Sequence, residues 1–301
     1  MSTFSKLKSM SGKKSLEAIT AELNKINDTS KKGGGADTRF WQPTVDKAGN
    51  GYAIIRFLPS PEGEDVPFVR IFDHGFQGPT GLWYIENSLT TLGKPDPVSE
   101  YNSKLWNSNN SDESAERKQV RKQKRRLHYI SNIYVIQDSG NPSNEGKVFL
   151  FKYGKKIFDK LNEAMNPQFE DEEPINPFDF WSGASFKLKI RNVEGYRNYD
   201  KSEFGSVEPL FDDDSKLEEI FNKEYSLKEF LDPKNFKSYD ELKSRLIRVL
   251  DESSSVVEKA EKQNLEEAPA PTFKSKAQTL SVDTSDDDDE DSLEFFKKLA
   301  S

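Results

Sequence analysis

Seven of the ten residues in Arg117–Arg126 (RKQVRKQKRR) are Lys or Arg, and none is acidic. Unpaired charges of this density are not buried, so the run must lie on a surface, as a solvated helix face or a loop. Its self-repulsion also calls for something anionic nearby. The run leads without a break into LHYISNIYVIQD (Leu127–Asp138), a long strand candidate. A dense cationic surface is thereby tied to the start of a strand.

The opposite sign closes the chain. Residues 283–291 (DTSDDDDED) hold seven acids in nine positions. The net charge of −8 comes from this end: residues 251–301 carry 14 acids and 6 lysines, and residues 1–250 carry 38 of each sign. A neutral body with a local basic patch can bind an anion, because the field follows local clustering. The chain has no cysteine, which excludes disulfides, thiol nucleophiles and thiolate metal sites. No apolar run approaches the roughly 20 residues needed to span a bilayer, and the first residues lack the apolar core of a secretory signal. Neither membrane insertion nor export is expected.

Three zones follow. Residues 1–39 read as a basic arm: Lys6, Lys8, Lys13 and Lys14 precede Leu16, Ile19, Leu23 and Ile26 at helical spacing, and Gly33–Gly35 form a linker. Residues 40–250 read mainly as strands. Asn50-Gly51 predicts a tight turn before YAIIRFL, and FVRIF and LWYIE flank a Gly/Pro turn. KVFLFKY is a further strand candidate and KKIFDKLNEAM a helix. In SFKLKIRNV, Phe186, Leu188 and Ile190 alternate with Lys187, Lys189 and Arg191. Leu242, Leu246, Val249 and Leu250 predict an apolar helical stripe. Residues 251–301 are polar and expected to be disordered. Their last stretch, SLEFFKKLAS, places Leu293, Phe296 and Leu299 on one helical face as a docking segment for a partner.

Aromatic residues accompany the cations: Tyr101, Trp106, Tyr129, Phe151, Tyr196 and Tyr199 sit beside bases or in polar surroundings. Unpaired bases stack on aromatic faces, whereas duplex bases already stack on each other, so this lining favours single strands. For any one ring the core is the alternative role. Asp212–Asp214 are consecutive and cannot converge on one ion, so they read as a loop or helix entrance. His74 and His128 are the only histidines, and no nucleophile triad, phosphate loop or GxGxxG pattern occurs. An enzyme is not expected.

The segments AGNGYAIIRFLPS (48–60), DHGF (73–76), GLWYIE (81–86), NEGKVF with YGKKIFDK (144–160), GASFKLKI (183–190) and VEGYRNYD (193–200) resemble the single-stranded DNA-binding, helix-destabilising protein family of T-even-type bacteriophages. The basic arm and acidic tail match as well. The resemblance implies an OB-fold core with a basic, aromatic-lined cleft, and an arm that docks on the neighbouring protomer to give cooperative filaments. In the arm, Lys13, Lys14 and Ser15 look like the family's basic-plus-Ser/Thr motif. Lys124, Arg125 and Arg126 resemble a second basic motif. The stacking aromatics carry over to Trp106 and Phe151, where the best-known member has Tyr, and to Tyr129, Tyr196 and Tyr199. The best-known members hold zinc with one His and three Cys. Here His74 keeps its place, but Ser88, Asp96 and Ser99 stand at the cysteine positions. One His and one carboxylate do not close a tetrahedral zinc site, so no zinc is expected. Packing by Trp83, Tyr84, Pro95 and Pro97 is expected to hold that region, with His74 hydrogen-bonded in the fold.

The resulting expectation is a mainly β protein with flanking helices (α+β): an OB-fold core over 40–250 with a small subdomain around 70–105. It needs no cofactor. Its candidate DNA contacts are Tyr101, Trp106, Lys122, Lys124, Arg125, Arg126, Tyr129, Phe151, Lys152, Lys187, Lys189, Tyr196, Arg197 and Tyr199. Expected partners are single-stranded DNA, further copies along the strand, and phage replication and recombination proteins recruited by the tail in the cytoplasm of the infected host. A recruitment adaptor acting mainly through its tail is the competing reading, and a magnesium nuclease using Asp200 and Asp212 a third.

Overall fold

The computed structural model describes residues 37–108, 111–169 and 171–250. The expected arm motif (Lys13, Lys14, Ser15) and docking segment (Leu293, Phe296, Leu299) lie outside the described residues. Among these there are nine strands: β1 (Phe40–Trp41), β2 (Gly51–Phe57), β3 (Val69–Gln77), β4 (Trp83–Asn87), β5 (Arg126–Asp138), β6 (Val148–Tyr153), β7 (Ala184–Val193), β8 (Tyr196–Asn198) and β9 (Glu203–Val207). Five α-helices accompany them: α1 (Pro97–Ser108), α2 (Ala115–Gln123), α3 (Lys155–Met165), α4 (Asp214–Phe221) and α5 (Tyr239–Leu250). The chain is mainly β, with helices around an open sheet.

β5 organises the sheet. On one edge it pairs with β6 (Tyr129↔Tyr153 to Tyr134↔Val148). On the other it pairs first with β3 (Arg126↔Asp73 to Ile130↔Val69) and then with β2 (Ile133↔Phe57 to Asp138↔Ala53). β7 continues the sheet beyond β2 and carries β8 and β9. Each of these pairings is antiparallel. Strand alternation then sets the main core: Ile55 and Phe57, Ile133 and Val135, Phe186, Leu188 and Ile190, closed by Ile157 and Leu161 of α3. Trp41 of β1 packs edge-on against Phe151 at 5.2 Å and donates Nε1–H to Asp138 Oδ2 at 2.8 Å.

The expected elements form where the periodicities place them, including β7's alternation and the buried stripe of α5. The turn before β2 differs in one detail. Gly49, not Gly51, has positive φ (85°), and Asp46 Oδ1 accepts from the backbone N–H of Ala48 and Asn50. Gly51 serves close approach instead, since a Cβ there would lie 2.7 Å from Thr44 O. Asp213 caps α4 by accepting from Ser215 N–H, as a helix entrance should.

The segment expected as a subdomain around 70–105 does not bury its apolar residues by itself. Phe76, Tyr84, Leu89 and Val98 share a second core with Leu242, Leu246, Val249 and Leu250 of α5. Tyr84 is fully buried and Pro97 is buried, but Trp83 is 47% exposed and Pro95 is exposed, so neither packs this region as expected. Alternation along a strand admits one buried face, and on β4 that face belongs to Tyr84.

Candidate nucleic-acid interface

The basic run is a helix up to Gln123 and a strand from Arg126. Ser114 caps α2 by accepting from Arg117 N–H at 3.2 Å, which settles the helix-or-loop alternative. One helical face of bases surrounds Trp106 of α1: the Arg117 guanidinium lies 4.4 Å from the ring centroid and that of Arg121 6.0 Å. Arg117 also pairs with Asp112 at 2.5 Å. Lys122 is exposed, and Lys124, Arg125 and Arg126 are half-buried at the junction with β5.

Register brings the next charges together. Arg126 faces Asp73 across β5–β3, and Lys152 arrives from β6 on the same face. Asp73 accepts from Arg126 Nε at 2.7 Å and from Lys152 Nζ at 3.0 Å, with His128 Nε2 at 3.2 Å. Burial alone would raise the Asp73 carboxyl. His128, Lys152 and Arg126 outweigh that and hold it well below the usual carboxylate range. One carboxylate thus anchors two permanent cations, leaving a local positive surplus. Arg125 lies over the Phe72 ring at 3.9 Å, and Arg70 lies 5.3 Å from the same ring.

The second group of expected contacts lies on β7 to β9 and differs in charge balance. Lys187 and Lys189 occupy the face opposite the core. Lys189 pairs with Glu203 at 2.7 Å, and Arg191 with Asp200 at 2.6 Å. Those hydrogen bonds lower the carboxyls of Glu203 and Asp200. The β7–β8 turn is Glu194-Gly195, both with positive φ (54° and 91°), the pattern of a two-residue hairpin turn. It presents Tyr196 with 54% of its surface exposed. Arg197 is half-buried on β8, and Tyr199 packs partly against the main core.

Two of the expected stacking aromatics are buried. Tyr129 is 7% exposed and stacks on Phe158 at 3.9 Å, and Phe151 is 3% exposed against Trp41. Both point to the β5–β6 face that builds the core, so neither offers a ring face to a base in this arrangement. Tyr101 packs against the second core, 3.5 Å from Gln119 Nε2, with only part of its ring accessible. Sequence reasoning missed Asp73 as the anchor, the half-buried Phe72 beneath Arg125, and Arg70, Trp83 and Ile85 as surface residues. The signal for Trp83 and Ile85 was present in LWYIE, where they alternate with Tyr84.

Beside Asp73, His74 points to the other face of β3 and is 1% exposed. Its Nδ1 lies 3.1 Å from Gln123 O, and its Nε2 lies 3.3 Å from Asp96 Oδ1, an ion-pair distance rather than an aligned hydrogen bond. Asp96 accepts from the backbone N–H of Leu89, Val98 and Ser99. Burial opposes ionisation there, but His74 and the backbone donors bring the Asp96 carboxyl down to about 2. Ser88 Oγ sits 3.0 Å from Thr90 Oγ1. The donors at the family's metal positions are therefore one imidazole, one carboxylate already surrounded by N–H groups, and two hydroxyls. They do not fit a zinc ion. Among the described residues no group of three or more His, Cys, Asp or Glu is placed to hold a metal. The expected hydrogen bonding of His74 is met by Gln123.

A family model described as "gp32 DNA binding protein like" matches residues 49–250. The single-stranded DNA-binding proteins of Enterobacteria phages T2 and T4 are each 39% identical, over 247 and 245 residues, covering 79% of this chain and 78% of theirs. That of Escherichia phage SV14 is 42% identical over 106 residues, 33% of this chain and 91% of its own. The matched span takes in both basic regions, the Asp73 cluster and the His74–Asp96 pair, and the chain belongs to the gp32-like family of DNA-binding proteins.

Proposed function

We propose that this chain binds single-stranded DNA, which is what the phage relatives' names state for them, and that it does so without sequence preference. The observation that carries this reading is the surplus of cations at the start of β5, where Arg126 and Lys152 share one carboxylate next to the bases of α2. Lys and Arg on such a surface neutralise phosphates and release counterions, which gives affinity without reading bases. Exposed rings nearby supply stacking, which unpaired bases accept and duplex bases do not. We read the core as an OB-fold variant, a reading supported by the long strand β5, which pairs with β2, β3 and β6. The protein acts without catalysis and without zinc, coating strands during phage replication, recombination and repair inside the infected bacterium. Arm residues Lys13, Lys14 and Ser15 would join neighbouring copies, and tail residues Leu293, Phe296 and Leu299 would recruit protein partners. Titration with oligo-dT and with a duplex of equal length, followed by intrinsic fluorescence, tests the reading. Tight, salt-sensitive binding to dT and weak binding to duplex are expected; equal affinities would refute it.

A further inference from the structure

Among the described residues β4 is an edge strand, paired only with β3. Its buried side holds Tyr84 in the second core. Its other side carries Trp83 and Ile85, 47% and 59% exposed, preceded by Leu82 at 42%. An outward Trp–Ile strip on a short edge strand leaves apolar area in water that folding has not used, which marks a contact surface.

The register shows what adjoins it. Trp83 stands opposite Gln77, Ile85 opposite Gly75, and Asn87 opposite Asp73. Asp73 in turn stands opposite Arg126. Strand alternation puts Gln77, Gly75 and Asp73 on one face, so Trp83 and Ile85 share the face of the Arg126–Lys152–His128 cluster. Gly75 makes the junction: a Cβ there would overlap the Arg126 guanidinium, so glycine lets that group lie across β3 beside Ile85. The strip therefore continues a cationic surface without an intervening side chain.

We infer that Trp83, supported by Ile85, is a base-stacking platform that extends the phosphate-binding surface of β5 across β4. The inference rests on the single-stranded DNA reading above and adds a contact residue to it. The occupant follows from charge: an apolar ring next to surplus cations fits a strand with phosphates on one side and open base faces on the other. Trp offers the largest ring face of any side chain, and stacking on it does not depend on base identity.

The test compares wild type, Trp83→Ala and Trp83→Phe in full-length protein. The probes are oligo-dT and an abasic oligonucleotide of the same length, titrated at several salt concentrations. Trp83→Ala should weaken dT binding about tenfold, within the range for one base stacked on one ring. The salt slope should not change, because no phosphate contact is lost. Trp83→Phe should recover most of the loss, and the abasic strand should bind wild type and Trp83→Ala alike. Unchanged dT affinity in Trp83→Ala, with wild type binding dT tightly, overturns the platform and leaves the function standing. An equal loss on the abasic strand also overturns it, as base contact would not be involved. Failure of wild type to bind dT removes both readings together.

Discussion

The start of β5 and the end of β7 carry the same kinds of residue in the sequence, cations beside aromatic rings, and the fold treats them differently. At β7 the cations Lys189 and Arg191 each meet a carboxylate of their own, Glu203 and Asp200. At β5 Arg126 and Lys152 share, among the described residues, the one carboxylate of Asp73, with His128 as the third neighbour. Surface pairs of the first kind add little stability and leave little net field. The second arrangement fixes the geometry of its cations and keeps a surplus. The number of bases in a segment is thus a poor guide to the charge it offers a ligand. What counts is how many acids the neighbouring strands deliver.

The aromatic rings repeat the contrast in reverse. Near β5, Tyr129 and Phe151 are consumed by the core, while near β7 Tyr196 is exposed. Phe151→Ala should therefore act on folding, costing about 3–5 kcal/mol as a buried large-to-small change. Chemical denaturation measures it. A stable Phe151→Ala protein with impaired DNA binding would restore Phe151 as a contact and break the contrast.

Asp73→Asn is the next largest effect. Its partners are partly solvated, so the cost should be about 1–3 kcal/mol, below that of a fully enclosed pair. The pH dependence has a defined sign. The folded carboxyl is depressed, so its stabilisation is fully present above the unfolded value of about 4 and is lost as pH falls below it. Denaturation curves of wild type and Asp73→Asn should differ at pH 7 and converge progressively under acid. A gap that persists unchanged to pH 2–3, on the order of the lowest accessible values, would mean Asp73 acts by packing and not by charge.

The smallest change sharpens the comparison from the other side. Asp200→Asn with Glu203→Gln should release Arg191 and Lys189 and make β7 resemble β5. Affinity for oligo-dT should rise at low salt, and the slope of log affinity against log salt should steepen by up to about 0.7 per released cation. An unchanged slope would show that β7 lies away from the strand's path.

The elements were legible from periodicity because each signal was local: alternation in SFKLKIRNV, the helical stripe of α5, the apolar runs of β2, β3, β5 and β6. Which face of each strand is buried depends on partners far along the chain, and there the reading failed in specific ways. Tyr129 and Phe151 face the core because β5 pairs with β6 in a register the sequence does not state. Trp83 faces solvent because Tyr84 meets α5, more than 150 residues later. Asp73 opens the DHGF segment, but nothing in that segment states its charge partners, and its role arises only where β3, β5 and β6 converge. The cation-rich helix α2 and exposed Tyr196 were readable because neither depends on such pairing.

The most direct measurement of the central claim is the salt dependence of oligo-dT binding in two double variants, Arg126→Ala with Lys152→Ala and Lys187→Ala with Lys189→Ala. The β5 variant should lower the slope by about 0.7 per cation removed and weaken binding at every salt concentration, while the β7 variant should change the slope much less. Equal losses in the two variants, or a larger loss at β7, would contradict the assignment of the phosphate-binding surface to the start of β5.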